Sequence, residues 1–426
     1  MAKLAGEYLV ERMSAAERAR AERVESVLPA LREAAVEVDI GGDFERSHVA
    51  RFREAGLLGL VVPESFGGLG GGLRDLAAAT FALGTACPST ALAFFFHCSA
   101  AARGLLPLSA IEAGLFSSEE IPVVRAFAEK VLTRMGREGM WLANFASESI
   151  KTEASAVTVG AEAQPVAGGF ALEGVKAFGC ATGVADAYLV TAKLAGFESA
   201  EGLATFFVDP QAQGVGERQR WDAIGMRGTA THGITLKGVH VPAEEALAIP
   251  GAFARTLQVS RGSFVGNQLA GTAVYAGAAA ALYRESLTQL QQRKFEDTGR
   301  PLGSGPFYQE LIGRMLADLT TALLWLRRQL ELETSEPPLL PKDEVVKHWR
   351  LCKGEACEAA FRVAVGALKA GGTAGTANRG GSARALRNLA MGLVQAFPAE
   401  RGRLMAAQSE VTGAEQAMFG VAKEPS

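Results

Sequence analysis

Few side chains in this sequence can take part in reactions, and their scarcity narrows the chemistry. The five cysteines are Cys87, Cys98, Cys180, Cys352 and Cys357. They form no C-x-x-C pair and no zinc-type spacing, which fits free thiols in a reducing, cytoplasmic setting. The five histidines are dispersed, so the sequence offers no metal cluster. One of them, His97, follows Phe94–Phe96 in STALAFFFHCSA. A histidine titrates near neutrality and can deliver a proton; in so apolar a run it can equally be buried and hydrogen-bonded. Arg261 can neutralise a substrate carboxylate or hold a loop. Gly371–Gly372 either lets the backbone approach a ligand closely or simply stops a helix.

These residues fall in three zones of different period. At about 100–200 residues per domain, the length suggests two to four domains or one large three-part body. Residues 1–138 read helical. Ser14 and Glu17 have capping-box spacing for a long amphipathic helix, and Asp43 is placed to cap a second, which Gly56 would end. A glycine-rich loop follows in LLGLVVPESFGGLGGG. Residues 139–247 change period: Ala156–Ala163 and Phe170–Phe178 alternate, with turn chemistry at Pro165–Gly169 between them, and Ala187–Ala192, Ala204–Val208 and Gly233–Val241 are further strand-like runs. Short strands with turns between them suggest a small sandwich or barrel. Residues 248–426 return to helical period over 252–293, 306–333, 341–370 and 382–418, which suggests a four-helix bundle. The fold class expected is therefore α+β, mainly α, with helices first, a β module next and a bundle last.

Composition excludes several partners. The chain is 48% hydrophobic and 21% charged, with a net charge of -3 and both signs interspersed. No nucleic-acid footprint and no polybasic membrane anchor follow from that balance. The N-terminal stretch MAKLAGEYLVERMSAAERARAERVE is charged throughout and has no signal-peptide apolar region. Two uncharged runs, Leu76–Ala102 and Gly262–Tyr283, are long enough to raise the membrane question and read as buried helices.

Several strings carry a resemblance. AGLLGLVVPESFGGLGG at 55–71, LEGVKAFG at 172–179, WDAIGMRGTATHGITLKGVHVP at 221–242 and QRKFEDTGRPL at 292–302 resemble, in order, signatures of acyl-CoA dehydrogenases. Gly371–Gly372 sits where that family's glycine pair lies. The resemblance covers nearly the whole chain and implies an FAD flavoprotein, with FMN or reduced flavin as the variant. It implies α,β-dehydrogenation of an acyl-CoA or other acyl thioester, an electron-transfer partner or flavin reductase, and a homodimer or homotetramer. Ser147 corresponds to the start of the flavin-contacting T-E-P-x-A-G-S-D string, here reduced to Ser147–Glu148–Ser149. Phe178–Gly179–Cys180 corresponds to the Trp-Ile-Thr that flanks the ring. Phe178 can pack on a ring edge; Cys180 is either a weaker hydrogen-bond partner than threonine or a small buried residue. Arg293, with Phe295 one position nearer than in the family pattern, corresponds to an arginine that pairs with a pyrophosphate across a subunit interface.

The same register finds no base in its usual places. Family members carry a glutamate eight residues after an Arg-Asp pair; here the pair reads Arg387–Asn388 and the count reaches Ala396. Members that carry it on the first bundle helix have it before an arginine; here that site reads Ser260–Arg261. Glu400 lies about one helical turn beyond Ala396 and is either a displaced base or a solvated helix face. Three functions are compatible: an acyl-thioester oxidoreductase with an atypical base, a two-component flavin monooxygenase on the same fold, and a non-catalytic member.

Overall fold

A computed structural model describes residues 3–153, 155–261, 268–413 and 417–422. The first zone holds α1 (Ala15–Gly41), α2 (Ser47–Glu54), α3 (Leu73–Gly84), α4 (Pro88–Ser99), α5 (Ala102–Glu112) and α6 (Ile121–Gly136). The expected capping box opens α1. Ser14 Oγ accepts from the Glu17 N–H at 3.2 Å, and Glu17 accepts from the Ser14 N–H at 2.7 Å. Asp43 does not cap α2. It accepts from the Phe44 N–H and pairs with Arg220, while Glu45 accepts the Ser47 N–H that a cap would take. Gly56, with φ 73°, turns the chain just past the end of α2 as expected.

The middle zone holds β1 (Leu142–Phe145), β2 (Ser155–Val159), β3 (Glu162–Val166), β4 (Gly169–Lys176), β5 (Ala187–Leu194), β6 (Leu203–Val208), β7 (Val215–Glu217), β8 (Ile234–Pro242) and β9 (Ala246–Leu247). The sheet order is β7-β8-β4-β3-β5-β6-β9, with β1 parallel to β5. The run expected at Ala156–Ala163 is two strands, not one. Glu148 takes the Gly160 and Ala161 N–H groups at 2.7 and 3.0 Å, so the chain leaves the ladder there. The β3–β4 turn is Ala167–Gly168, and Pro165 belongs to β3 opposite Phe170.

The last zone holds α7 (Ala252–Gln258), α8 (Gln268–Gln292), α9 (Pro306–Thr334), α10 (Lys342–Gly371), α11 (Gly381–Gly392), α12 (Ala399–Thr412) and β10 (Ala417–Val421). The helix expected over 252–293 is therefore α7 and α8, and residues 262–267 between them lie outside the described residues. The helix expected over 382–418 breaks at Leu393–Pro398, where Ala396 has φ 65° and Pro398 precedes α12. Proline cannot continue the backbone ladder, which accounts for the break. Beyond Gly413 the chain forms a strand parallel to β2 instead of more helix.

The run Leu76–Ala102 is largely helical and buried, and the part of the second run that the structure describes, residues 268–283, is helical and mostly buried. Leu76–Ala102 supplies much of the core, including Phe81, Phe94 and Phe95. The stretch Pro88–Glu112 is long and apolar enough to cross a membrane, but most of it is enclosed by the protein. α8 is the central helix, touching α3, α4, α9, α10 and α11. Its small residues allow this. A Cβ on Gly277 would stand 2.0 Å from the Phe81 carbonyl oxygen of α3, so only glycine fits.

Candidate functional site

The middle sheet meets the bundle along one seam, which the string at 221–242 builds. The Met226 N–H donates to Asn388 Oδ1 of α11 at 2.8 Å. Arg227 Nε donates to the Asp39 carbonyl of α1 at 2.9 Å, and Arg387 pairs with the Asp39 carboxylate. Gly225 lies so close to α11 that a Cβ would meet the Arg387 carbonyl oxygen at 2.0 Å. The residues in the place of the family's Arg-Asp pair thus fasten three layers together.

Beside this seam the structure brings Ser147, Phe178 and Cys180 together. The Ala177 N–H donates to the Ser147 carbonyl at 3.0 Å, tying the segment after β1 to the end of β4. Phe178 is 48% exposed, and its ring meets Trp221 edge-on at 5.7 Å. Cys180 is buried. Its Sγ lies 3.2 Å from Thr231 Oγ1, which lies 2.7 Å from Thr229 Oγ1. Burial pushes the Cys180 thiol up to about 12, so it stays protonated at neutral pH. Across the seam, burial raises the Tyr275 phenol of α8 well above its ordinary value, with the Cys357 and Cys180 thiols close by.

Two buried polar atoms have no hydrogen-bond partner among the described residues: Asn144 Oδ1 in β1, three residues before Ser147, and the Tyr275 hydroxyl, which lies near the Cys180 thiol. A buried polar group without a partner costs about 1–3 kcal/mol. Together with the exposed Phe178 ring they suit a ligand that is apolar on its face and polar on its edge. An isoalloxazine has that character.

Under the site lies an ion pair that the sequence reading passed over. Lys176 Nζ and Glu148 Oε1 are 2.5 Å apart, with side chains 0% and 5% exposed. Burial holds the Lys176 ammonium below its ordinary range, and the Glu148 charge opposes that shift. Glu148 also fixes the Gly160 and Ala161 amides, so it anchors the Ser147 segment rather than facing a ligand. Lys176 was visible as the lysine of the L-x-G-x-K string, but nothing local announced its partner.

The other predicted residues divide. Of the two readings of His97, its surroundings are those of a buried, hydrogen-bonded core residue. It is 0% exposed, its Nε2 lies 2.9 Å from the Leu58 carbonyl, and its Nδ1 accepts the Leu142 N–H at 3.0 Å. Those partners hold one neutral tautomer, and desolvation takes its pKa down to about 4. Ser260 is buried and donates to the Leu257 carbonyl. Arg261 holds a loop: it donates to the Glu333 and Ser335 carbonyls and pairs with Glu336 at 3.0 Å. Ala396 sits on the α11–α12 loop. Lys353 of α10 pins that loop by donating to the Gly392 carbonyl at 2.8 Å and to the Phe397 carbonyl. Glu400 stands on the first turn of α12 with its side chain 76% exposed, 3.5 Å from Arg403. Glu400, Glu358, Lys353 and Cys357 border a cavity of about 300 Å³ between α10, α11 and α12.

Arg293, Phe295 and Gly371–Gly372 gather at the opposite end of the bundle. Phe295 packs with Leu290, Leu302, Leu311 and Ala370, which brings the loop after α8 against the end of α10. Arg293 is exposed, and a Cβ on Gly371 or Gly372 would meet open space. At 1.5 Å per residue, about 27 Å of α8 separates Arg293 from Tyr275.

Comparison with known proteins agrees with this architecture. Residues 14–109, 146–239 and 257–393 match the N-terminal, middle and C-terminal domains of acyl-CoA dehydrogenase. The chain belongs to the acyl-CoA dehydrogenase family. It is 26% identical to a probable acyl-CoA dehydrogenase, YngJ, of Bacillus subtilis over 82% of this chain and 86% of that one. It is 30% identical to the isobutylamine N-hydroxylase of Streptomyces viridifaciens over 54% of this chain and 58% of the relative. The structure of KijD3 in complex with FMN and a dTDP-linked amino-keto sugar superposes with a TM-score of 0.78, at 22% identity and 97% coverage of both chains. Family and fold together mark the chain as an enzyme of the flavin oxidoreductase type.

Proposed function

We propose that this enzyme is a flavin-dependent monooxygenase built on the acyl-CoA dehydrogenase fold. One observation carries the reading: Glu400, the nearest carboxylate along the chain to Ala396, has a side chain 76% exposed, while the resemblance puts Ala396 and Ser260 where the family's base would stand. Abstracting the α-proton of a thioester calls for a desolvated carboxylate, whereas inserting oxygen into a substrate does not. The likeness to an N-hydroxylase supports the same direction.

The crevice residues fit a flavin. Phe178 would meet the ring face, Asn144 and Tyr275 would satisfy its polar edge, and the neutral Cys180 thiol would offer a weak contact. Lys176 and Glu148 would keep Ser147 in place. Reduced flavin supplies two electrons, with which one atom of O2 enters the substrate as a hydroxyl and the other leaves as water. Arg293 and Gly371–Gly372 are too far along α8 to serve the same crevice. In a homodimer or homotetramer they would receive the phosphate and adenine end of an FAD bound to a second copy. FMN would use the crevice alone.

The test is to supply the purified protein with reduced FAD or FMN, air, and a panel of amines and sulfur heterocycles. A product carrying one added oxygen is expected. Anaerobic bleaching of bound oxidised flavin by an acyl-CoA would overturn the proposal. It would support a second reading, acyl-thioester oxidation with Glu400 as a displaced base. The cavity bordered by Glu400 and Glu358 favours that reading, as does the likeness to YngJ along most of its length. In that case Glu400→Gln would abolish bleaching while flavin stays bound.

A further inference from the structure

Arg103 is the one formal charge between Asp75 and Glu112 in the sequence. It is 6% exposed, at the start of α5 where that helix packs on the middle sheet. Three partly buried arginines meet carboxylates: Arg20 has Asp75, Arg134 has Glu245 and Arg255 has Glu120. Arg103 has none. Its Nη2 donates to Thr191 Oγ1 of β5 at 3.2 Å, its guanidinium carbon lies 4.7 Å from the Phe253 ring centroid, and its Nε has no partner. Desolvation alone takes its pKa down to about 10, which leaves the side chain charged at neutral pH. A buried cation without a counter-charge is strongly destabilising, and arginine cannot escape by losing its proton.

Beside the guanidinium is a small cavity. Its walls include Thr205 of β6, Phe253 and Thr256 of α7, Phe127 of α6 and Leu247 of β9, and none of its ten lining residues is acidic. The space is about 10 Å³, room for roughly one water-sized body. A phosphate or sulfate does not fit, so any anion held there is monatomic.

We propose that Arg103 holds a buried chloride-sized anion in this cavity, where α5, the β5–β6 pair and α7 converge. The anion supplies the missing counter-charge and ties the N-terminal helices, the middle sheet and the entry to the bundle at one point. The site is separate from the crevice at Tyr275 and Cys180 and does not depend on the reaction proposed above.

The experiment is thermal unfolding of the full chain in sodium chloride against sodium gluconate at constant ionic strength. Wild type is expected to gain melting temperature with the logarithm of chloride concentration above the dissociation constant, as mass action requires for a ligand of the folded state. Thr191→Val keeps the shape but removes the hydroxyl that holds the guanidinium in place, and the chloride concentration needed for a given gain should rise about tenfold. Arg103→Met should lose the dependence. No chloride dependence in wild type, or the same dependence in Arg103→Met, would overturn the proposal. If Arg103→Met does not fold, crystals of wild type soaked in bromide decide. An anomalous peak beside the guanidinium supports the site, and a blank map there refutes it.

Discussion

Replacing Glu148 with glutamine should destabilise the protein far more than a surface change would. Glu148 and Lys176 are both buried and 2.5 Å apart, and the same carboxylate receives two backbone N–H groups. Glutamine keeps the shape but offers one acceptor oxygen, and its amide group faces either the ammonium or an N–H donor. Removing one partner of a buried pair costs about 3–5 kcal/mol, because the other charge is left desolvated. The loss should depend on pH. Burial holds the Lys176 pKa below its unfolded value, and removing Glu148 lowers it further. Between the folded and unfolded values the unfolded chain binds the extra proton, so the stability of Glu148→Gln should rise with pH and approach wild type towards about pH 10. Adding Lys176→Met removes the stranded charge and should recover more than half of the loss at neutral pH. The assay is urea unfolding of wild type, the two single variants and the double variant at pH 7 and pH 9.5. A loss under about 1 kcal/mol for Glu148→Gln, or a double variant no better than that single one, would refute the account of this pair.

Other expectations follow from the same geometry. His97 is neutral in the fold with a pKa near 4, below its unfolded value, so its contribution is complete above about pH 6.5 and is lost as the pH falls towards 4. The share is at most about 3 kcal/mol, and His97→Gln should show a shallower fall of urea midpoint from pH 7 to pH 4. Tyr275→Phe removes a hydroxyl without a partner; it should leave the flavin-free protein as stable or up to about 1 kcal/mol more so, and weaken flavin binding about tenfold. Unchanged affinity in a fluorescence titration would place Tyr275 outside the flavin contact. Gly277→Ala adds a Cβ that would stand 2.0 Å from the Phe81 carbonyl oxygen. Alanine is the better helix former by about 1 kcal/mol, but the steric term should win and cost about 3 kcal/mol net, read as a lower melting temperature.

What the sequence disclosed was local. The Ser14–Glu17 box, the alternation over β4 and the strand-like runs at β5, β6 and β8 depend on neighbours a few positions apart, and these readings agree with the fold. The break at Leu393–Pro398 was also visible in QAFPAERG, since Pro398 cannot extend a helix from Gly392. Distant pairings left no such trace. Glu148 reaches Gly160 and Lys176, β10 reaches β2 across most of the chain, and Lys353 pins a loop about forty residues on. None of these contacts alters a periodic pattern. His97 shows the other limit. Its residue type suggested proton transfer, but its use was set by the Leu58 carbonyl and the Leu142 N–H, two backbone groups that composition cannot reveal.

The seam at Met226, Arg227 and Gly225 has a consequence for how this enzyme selects what it binds. Backbone groups and one asparagine lock the sheet to α11, and an arginine locks it to α1. The two walls of the crevice cannot swing like the jaws of a hinge without breaking all three attachments at once. If the reaction proposed above takes place in this crevice, its aperture is set when the chain folds and a substrate is sieved by a fixed opening. Changing what passes calls for new side chains on the rim, such as Phe178, Trp221 or the 393–398 loop, and leaves the frame untouched.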